Sequence, residues 1–203
     1  MRKTKEETEF SRLRILDAAE QVFCSQGYES AKMNDIAQMA GMTKGAIFWH
    51  FENKAALFRE VHTRSVVRLK QIFEKVFSGC DPVLEKCRKV LLQIRKDRAF
   101  EVLLAFSSFE TQRVPQEMLV ELHTSIASIL DLARSKLEEA KQQGELYPDS
   151  DVFDIISPFV LVMSGFGKMG EVKKILGGLA GKIDCDVAIN MLFKGLLPLQ
   201  RKK

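Results

Sequence analysis

The chain of 203 residues holds little of what metal, redox or hydrolytic chemistry is usually built from: three histidines, four cysteines, two tyrosines and one tryptophan. Cys24, Cys80, Cys87 and Cys185 show no metal-ligand spacing, and nothing in their pattern suggests a disulfide framework. Cys24, Cys87 and Cys185 read as buried apolar thiols, whereas Cys80 follows Gly79 in an expected loop, where a redox-sensing thiol is conceivable. His50, His62 and His123 have no cysteine or paired carboxylate at ligand distance, and Glu60 and His62 are two apart, which places them on different faces of a helix. The glycines around Gly165 lack the preceding strand and following Lys-Ser/Thr of a phosphate cradle. No enzyme, catalytic residue, metal or cofactor is therefore expected. No apolar run approaches the ~20 residues that span a bilayer. The polar, charged beginning does not read as a signal peptide, so a cytoplasmic location is expected, with no membrane partner. Strong charge of one sign is also missing. The formal net charge is +4, and residues 1–54 hold eight Lys/Arg against eight Asp/Glu.

What is present is helix. With 46% hydrophobic and 29% charged residues the chain has the makings of a well-packed core, and it carries no strand signals, repeats or low-complexity tracts. Ser11 can cap a first helix with Ile15, Ala19, Val22 and Phe23 on its apolar face, ended by Gly27. Asn53 can cap a long helix whose stripe of Leu57, Phe58, Val61, Leu69, Ile72, Phe73, Val76 and Phe77 keeps a 3.6 period to Ser78-Gly79. Asp81-Pro82 reads as a cap followed by Pro at the first helical position, opening a helix to about residue 94. A short helix holds Phe100, Leu103, Leu104 and Phe106. Pro115 opens a long one that stops before Gly144, and Asp149 or Asp151 begins another, which Pro158 should kink. Asp184 starts the last helix. Residues 165–181 resist assignment because Gly167, Gly170, Gly177 and Gly178 interrupt any period. Residues 1–9 and 199–203 read as frayed basic tails.

Residues 35–51, DIAQMAGMTKGAIFWHF, are the most informative stretch. Residues 35–40 predict a short helix, Gly41 a sharp turn, and Thr43 the N-cap of a second helix over about 44–50. Met42, Ile47 and Phe51 can fill the small core between them. The spacing is that of a helix-turn-helix, whose second helix enters the DNA major groove; the bland alternative is an ordinary helical hairpin. Arg2, Lys3 and Lys5 form a basic arm. Lys32, Lys44 and Lys54 stand near three successive helix starts, where cations reinforce the pull of helix N-termini on phosphate.

Phe23, Gly27-Tyr28, Asp35-Ile36-Ala37, Ala40-Gly41, Thr43-Lys44-Gly45, Ile47-Phe48, His50-Phe51, Lys54 and Leu57-Phe58 together resemble the DNA-binding domain of the tetracycline-repressor (TetR) family. The opening five residues and the run GAIFWHF look most like its multidrug-efflux repressors. The chain departs from the family in two places. Ala31-Lys32 stands where a Thr pair is common, and Phe48 replaces the usual Tyr, removing a phosphate-directed hydroxyl; its ring is expected in the core of the motif. The resemblance implies an all-α protein with an N-terminal three-helix DNA-binding domain and a larger helical domain for ligand sensing and dimerisation. The expected division is an arm at 1–9, a reading head at 10–52 and the helical domain at 53–203. DNA contacts are expected from Lys32, Thr43, Lys44, Gly45, Ala46, Phe48, Trp49, His50 and Lys54, with Thr43 and Lys54 donating to phosphates.

Beyond residue 70 the phenylalanines stand out. Phe73, Phe77, Phe100, Phe106, Phe109, Phe159 and Phe166, with Met163, could line an apolar cavity for a small hydrophobic or amphipathic inducer, or be plain core. Residues 152–163 are apolar nearly all round, more than one subunit can bury. Val152, Ile156, Val160 and Met163, with Val187, Met191, Leu192 and Leu196 of the last helix, are accordingly assigned to a homodimer interface, which the resemblance also implies. The expected function is a ligand-released repressor of efflux or stress-response genes on double-stranded operator DNA. The alternative is a helix-turn-helix regulator governed by a partner protein or thiol redox state.

Overall fold

The computed structural model describes residues 4–107, 116–167 and 184–196, without the side chains at 104–107, 163, 164, 166 and 167. Among them run nine helices and no strand: α1 (Lys5–Ser30), α2 (Met33–Ala40), α3 (Lys44–His50), α4 (Lys54–Phe77), α5 (Val83–Lys96), α6 (Arg98–Ser107), α7 (Gln116–Gln142), α8 (Val152–Gly167) and α9 (Cys185–Leu196).

The helix starts follow from local chemistry. α1 begins earlier than Ser11. Thr4 Oγ1 accepts from the Glu7 N–H at 3.2 Å while Glu7 Oε2 accepts from the Thr4 N–H at 2.8 Å, a capping box that satisfies two otherwise orphaned donors. Residues 5–9 are thus helical and not a frayed tail, and Ser11 sits inside the helix, donating to the Glu7 carbonyl at 2.8 Å. Residues 1–3 and 199–203 lie outside the described residues. Gly27, at φ 78° and ψ 166°, breaks the helical path as expected, in a region that only glycine enters readily. Asn53 caps α4 by accepting from Ala56 N–H at 2.8 Å. At α5 the expectation shifts by one residue: Pro82 occupies the cap position. Asp81 is drawn instead to Lys89 at 2.7 Å, and the Val83 N–H is satisfied by Glu145 Oε2 at 2.9 Å. α8 continues through Pro158. Pro115 and most of the glycine-interrupted stretch, residues 168–181, lie outside the described residues.

Two hydrophobic cores lie along α4. The first gathers Ile15, Ala19, Phe23, Ile36, Ile47 and Leu57, and Phe23 and Tyr28 both pack edge-on against Phe58, at 5.0 and 4.9 Å between ring centres. It also takes in Val102 of α6 and Met118 and Leu122 of α7. The second core holds Val66, Leu69, Phe73 and Val76 of α4 with side chains of α5 through α9. Along α4 the first cluster ends at Val61 and the second begins at Val66, and the first also draws on side chains of α6 and α7.

Ion pairs line the α1–α4 seam. Arg12 pairs with Glu60, Asp17 with Arg64 at 2.6 Å, and Glu20 with Arg68 at 3.1 Å; the α4 members are four residues apart, one helical turn each. Partly exposed pairs contribute only ~0.2–1 kcal/mol apiece, against roughly 1.5–3 kcal/mol for each fully buried Leu or Phe. The ladder fixes how the helices align, and the core holds them together.

His62 is buried on α4, and burial pushes its pKa from 6.5 down to about 4. A depressed histidine pKa means that the unfolded chain binds the proton more tightly, so stability is lost as pH falls from 6.5 towards 4. At ~1.4 kcal/mol per pH unit the loss is roughly 3 kcal/mol. Urea titrations across this window should show that slope, and His62→Gln should flatten it; an equal slope in both proteins would assign it to other groups.

Candidate nucleic-acid interface

The helix-turn-helix is built from α2 and α3. Gly41 ends α2 in the left-handed region at φ 62° and ψ 39°, with the Met42 N–H reaching back to the Ala37 carbonyl at 2.9 Å, a glycine-dependent helix stop. A second constraint was not legible. Arg14 of α1 donates to the Ala40 carbonyl at 2.6 Å, and a Cβ on Gly41 would stand 3.2 Å from the same guanidinium nitrogen. Thr43 then caps α3 by accepting from the Ala46 N–H at 3.2 Å. Ile47 is fully buried and Phe51 nearly so, while Met42 is half-buried; together these anchor α3 with its other face outward.

That outward face carries most of the expected contacts. Thr43, Lys44, Gly45, Phe48 and Trp49 are exposed, Ala46 and His50 half-buried, and Lys32 is exposed at the start of α2. Trp49 stands 68% exposed with its ring edge-on to His50 at 4.6 Å. Thr8 of α1 closes one side of a groove with Gly41, Met42, Thr43, Ala46, Trp49 and His50; the Thr4-x-x-Glu7 capping signature is the signal that would have placed it there.

Two assignments are corrected. Phe48 is not core. It is 43% exposed, with the Lys44 ammonium 5.7 Å above its ring, because the inward position of this short helix is filled by Ile47. Lys54 turns its ammonium inward. Its three donors go to the carbonyls of Tyr28, Glu29 and Ala31 at 2.8, 3.0 and 3.1 Å, and the charge lies 4.5 Å over the Tyr28 ring. Burial pushes its pKa below the ordinary lysine value, against the pull of Glu29. α1 ends at Ser30 with Ala31 as its cap, which leaves the last carbonyls without helical donors, and Lys54 gathers them.

In the larger domain a cavity of about 200 Å³ is lined by Phe73, Phe77, Phe100 and Phe159, together with Leu69, Cys87, Leu103, Ala133, Ile129 and other aliphatic side chains. Four of the expected lining residues thus meet there; Phe109 and the side chains of Phe106, Met163 and Phe166 lie outside the described residues. Every described side chain on the wall is apolar except the Cys87 thiol. Burial pushes that thiol to about 12, so it stays protonated. Cys24 is half-buried, not buried, and is likewise pushed to about 12 by burial and then by the charges of Glu101 and Glu20. Cys185 is half-buried and Cys80 exposed.

The interface assignment on α8 and α9 divides. Val152, Ile156 and Leu196 are buried within the subunit's own core and Leu192 packs against it, a correction that follows from α6 and α7 packing on α8 and α5 packing on α9. The exposed apolar face is instead Phe153, Val160 and Leu161 with Val187 and Met191, of which Leu161 and Met191 are 72% and 68% exposed. Among the described residues no helix is long and apolar enough to cross a membrane.

A glycine-ended helix, a capped second helix with an exposed face, and a shared core behind them define a helix-turn-helix DNA-binding regulator of transcription. Residues 15–61 match the bacterial regulatory proteins of the tetR family. The HTH-type transcriptional regulator TtgR of Pseudomonas putida is 40% identical over 201 residues, covering 86% of this chain and 91% of that one. The structure of NalD, the secondary repressor of the MexAB-OprM multidrug efflux pump in Pseudomonas aeruginosa, aligns with a TM-score of 0.63 at 22% identity, over 98% of this chain and 100% of that. FadR from Bacillus subtilis, in complex with stearoyl-CoA, aligns with a TM-score of 0.68 at 20% identity, over 91% and 96%. The chain belongs to the tetR family of bacterial regulatory proteins.

The two lysines should separate cleanly. Lys54→Met should lower folding stability by about 1.5–3 kcal/mol, the range for a charged hydrogen-bonding group removed from buried partners, and leave the salt dependence of DNA binding unchanged. Lys44→Ala should leave stability near the parent value and either flatten the salt slope by about one or relax sequence preference. A flattened slope in Lys54→Met would return that residue to the phosphate backbone.

Proposed function

We propose that the protein is a homodimeric one-component repressor, released from its operator by a small, uncharged hydrophobic molecule bound in the α4–α8 cavity. The observation that carries this reading is the apolar wall of that cavity: an ion there would lose its hydration with no described partner, at a cost of several kcal/mol, whereas an apolar guest gains from burial. The amphipathic part of the expectation narrows accordingly to molecules whose charged end, if any, stays outside. The named activities of relatives support the class, since NalD represses an efflux pump and FadR is seen with an acyl-CoA. Efflux or stress-response genes are the proposed targets, and action on DNA places the protein in the cytoplasm. Two reading heads would enter successive major grooves about 34–36 Å apart, with Thr43, Lys44, Gly45, Ala46, Phe48, Trp49 and His50 at the DNA and Lys32 towards phosphate. No catalytic role is proposed. Thiol control is the weaker reading, because Cys24 and Cys87 are held protonated, leaving the exposed Cys80 as the most accessible of the described thiols.

Ala133 lines the cavity wall, so Ala133→Phe should fill it. In the parent, an inducing hydrophobic compound should weaken operator binding ~5–150-fold, the usual range of coupling between sites. The variant should bind operator as the parent does and no longer respond. A variant that still responds would place the effector elsewhere.

Pairing of the exposed α8–α9 face with its two-fold mate would cover Phe153, Leu161, Val187 and Met191, the isologous arrangement common in homodimers. Leu161→Glu with Met191→Glu should give a monomer by light scattering that keeps its helical content and loses operator affinity. A double variant that remains dimeric would move the interface off these helices.

A further inference from the structure

The outward face of α3 offers little hydrogen bonding. At 100° per residue, Gly45 and Trp49 lie opposite the buried Ile47, with Lys44 and Phe48 on one flank and Ala46 and His50 on the other. The helix, KGAIFWH, has no Arg, Asn or Gln, the side chains that read guanine or adenine edges in bidentate fashion. Its one long cation is Lys44. Its largest exposed surfaces are two aromatic rings, Trp49 at 68% and Phe48 at 43%. Beside Trp49, nothing lies within 4 Å of where a Gly45 Cβ would stand, so a groove wall can approach the backbone there.

Of the features that base pairs present in the major groove, only the thymine 5-methyl is read by apolar contact. We propose that Trp49 and Phe48 are specificity-determining residues that read thymine methyl groups, so that the half-site is defined mainly by where its thymines lie, with Lys44 supplying one polar contact. This rests on the reading that α3 enters the major groove. The physical gain is the burial of a methyl against an aromatic face that is otherwise exposed to water. The edge-on contact with His50 at 4.6 Å limits how far the Trp49 ring can turn away, so the face is presented in a defined orientation.

The test uses the full-length protein. Bound duplexes are selected from a random pool, and the enriched site is resynthesised with each thymine of a half-site replaced singly by uracil, which removes only the methyl. Uracil at the positions facing α3 should weaken binding about three- to fivefold per methyl, while uracil in the flanks should change nothing. The penalty at one position should vanish in Trp49→Ala and at another in Phe48→Ala, so that each variant binds thymine and uracil duplexes equally there; Trp49→Leu should retain part of it. In Lys44→Ala both penalties should persist. Because each comparison is made within one variant, a general loss of affinity or folding does not imitate the result. Equal binding of the thymine and uracil duplexes by the parent would overturn the proposal and leave α3 in the groove. Full penalties in both aromatic variants would also overturn it, assigning the methyl effect to DNA shape. If no sequence is enriched at all, the placement of α3 in the groove fails, and this inference fails with it.

Discussion

Of the helices that contribute to both hydrophobic cores, α4 is the one that also begins beneath the helix-turn-helix, and most of the architecture depends on it. α4 spans 24 residues, about 36 Å at 1.5 Å per residue. Its first turns bury Leu57, Phe58 and Val61 beneath the helix-turn-helix, and its later turns bury Leu69, Phe73 and Val76 in the larger domain, where Leu69 and Phe73 also face the cavity. Packed interiors transmit displacement because they have little free volume to absorb it. On the proposed reading, a guest that shifted Phe73 would act on the same helix that carries Phe58, and the head could not stay where it was unless α4 bent.

Where the two cores meet, α6 and Arg68 determine how tightly they are joined. α6 presents Phe100 and Leu103 to the cavity and Val102 to the head's core, so a single helix thickness separates the cavity from that core. Its N-terminus is capped by Asp97, whose carboxylate accepts from the Ala99 N–H at 2.8 Å and from Arg68 at 2.5 Å. The same guanidinium holds Glu20 of α1. Burial opposes the Arg68 charge, but the hydrogen bond with Asp97 and the charges of Glu20 and Asp97 outweigh it and raise the pKa, so the clamp stays charged at any ordinary pH. Its energy is modest beside the buried apolar surface. Its contribution is geometric, since it ties the start of α6 and the middle of α1 to one point on α4.

The parts of this arrangement that were legible in the sequence are those set by neighbours within one helical turn. Gly41, Thr43 and Asn53 could be placed because a left-handed stop and an N-cap each need a particular residue at a particular offset. The capping box at Thr4 obeys the same rule and was hidden only by the charged composition around it. What sequence reasoning missed is tertiary. Nothing near Lys54 says that the end of α1 brings three carbonyls within its reach, nor does anything near Val83 announce Glu145, 62 residues away. Apolar periodicity identifies α8 as buried on several sides without saying which side belongs to its own subunit. Val152 and Ile156 face inward, Phe153 and Leu161 outward, and that division depends on where α6, α7 and α9 pack. Phe48 departs from expectation for a related reason. In a seven-residue helix one inward position is enough, and Ile47 takes it.

The way the head uses its cations bears on how it must bind DNA. Arg12 is paired with Glu60 and lies 5.3 Å over the Phe51 ring, Arg14 closes the end of α2, and Lys54 closes the end of α1. Three of the eight basic residues in the first 54 are thus engaged in internal geometry, against an equal number of acidic ones overall. Phosphate attraction supplies most sequence-independent affinity, so a head of this composition holds DNA weakly by charge alone and depends on fitting the groove. Weak individual heads gain greatly from being linked, because the second contact then forms at a high effective concentration, and that gain disappears when the spacing no longer matches the site. If the heads are paired as proposed, a small change in the tilt of α4, too slight to disturb either core, would therefore be sufficient to release a dimer whose separate heads would hardly register it.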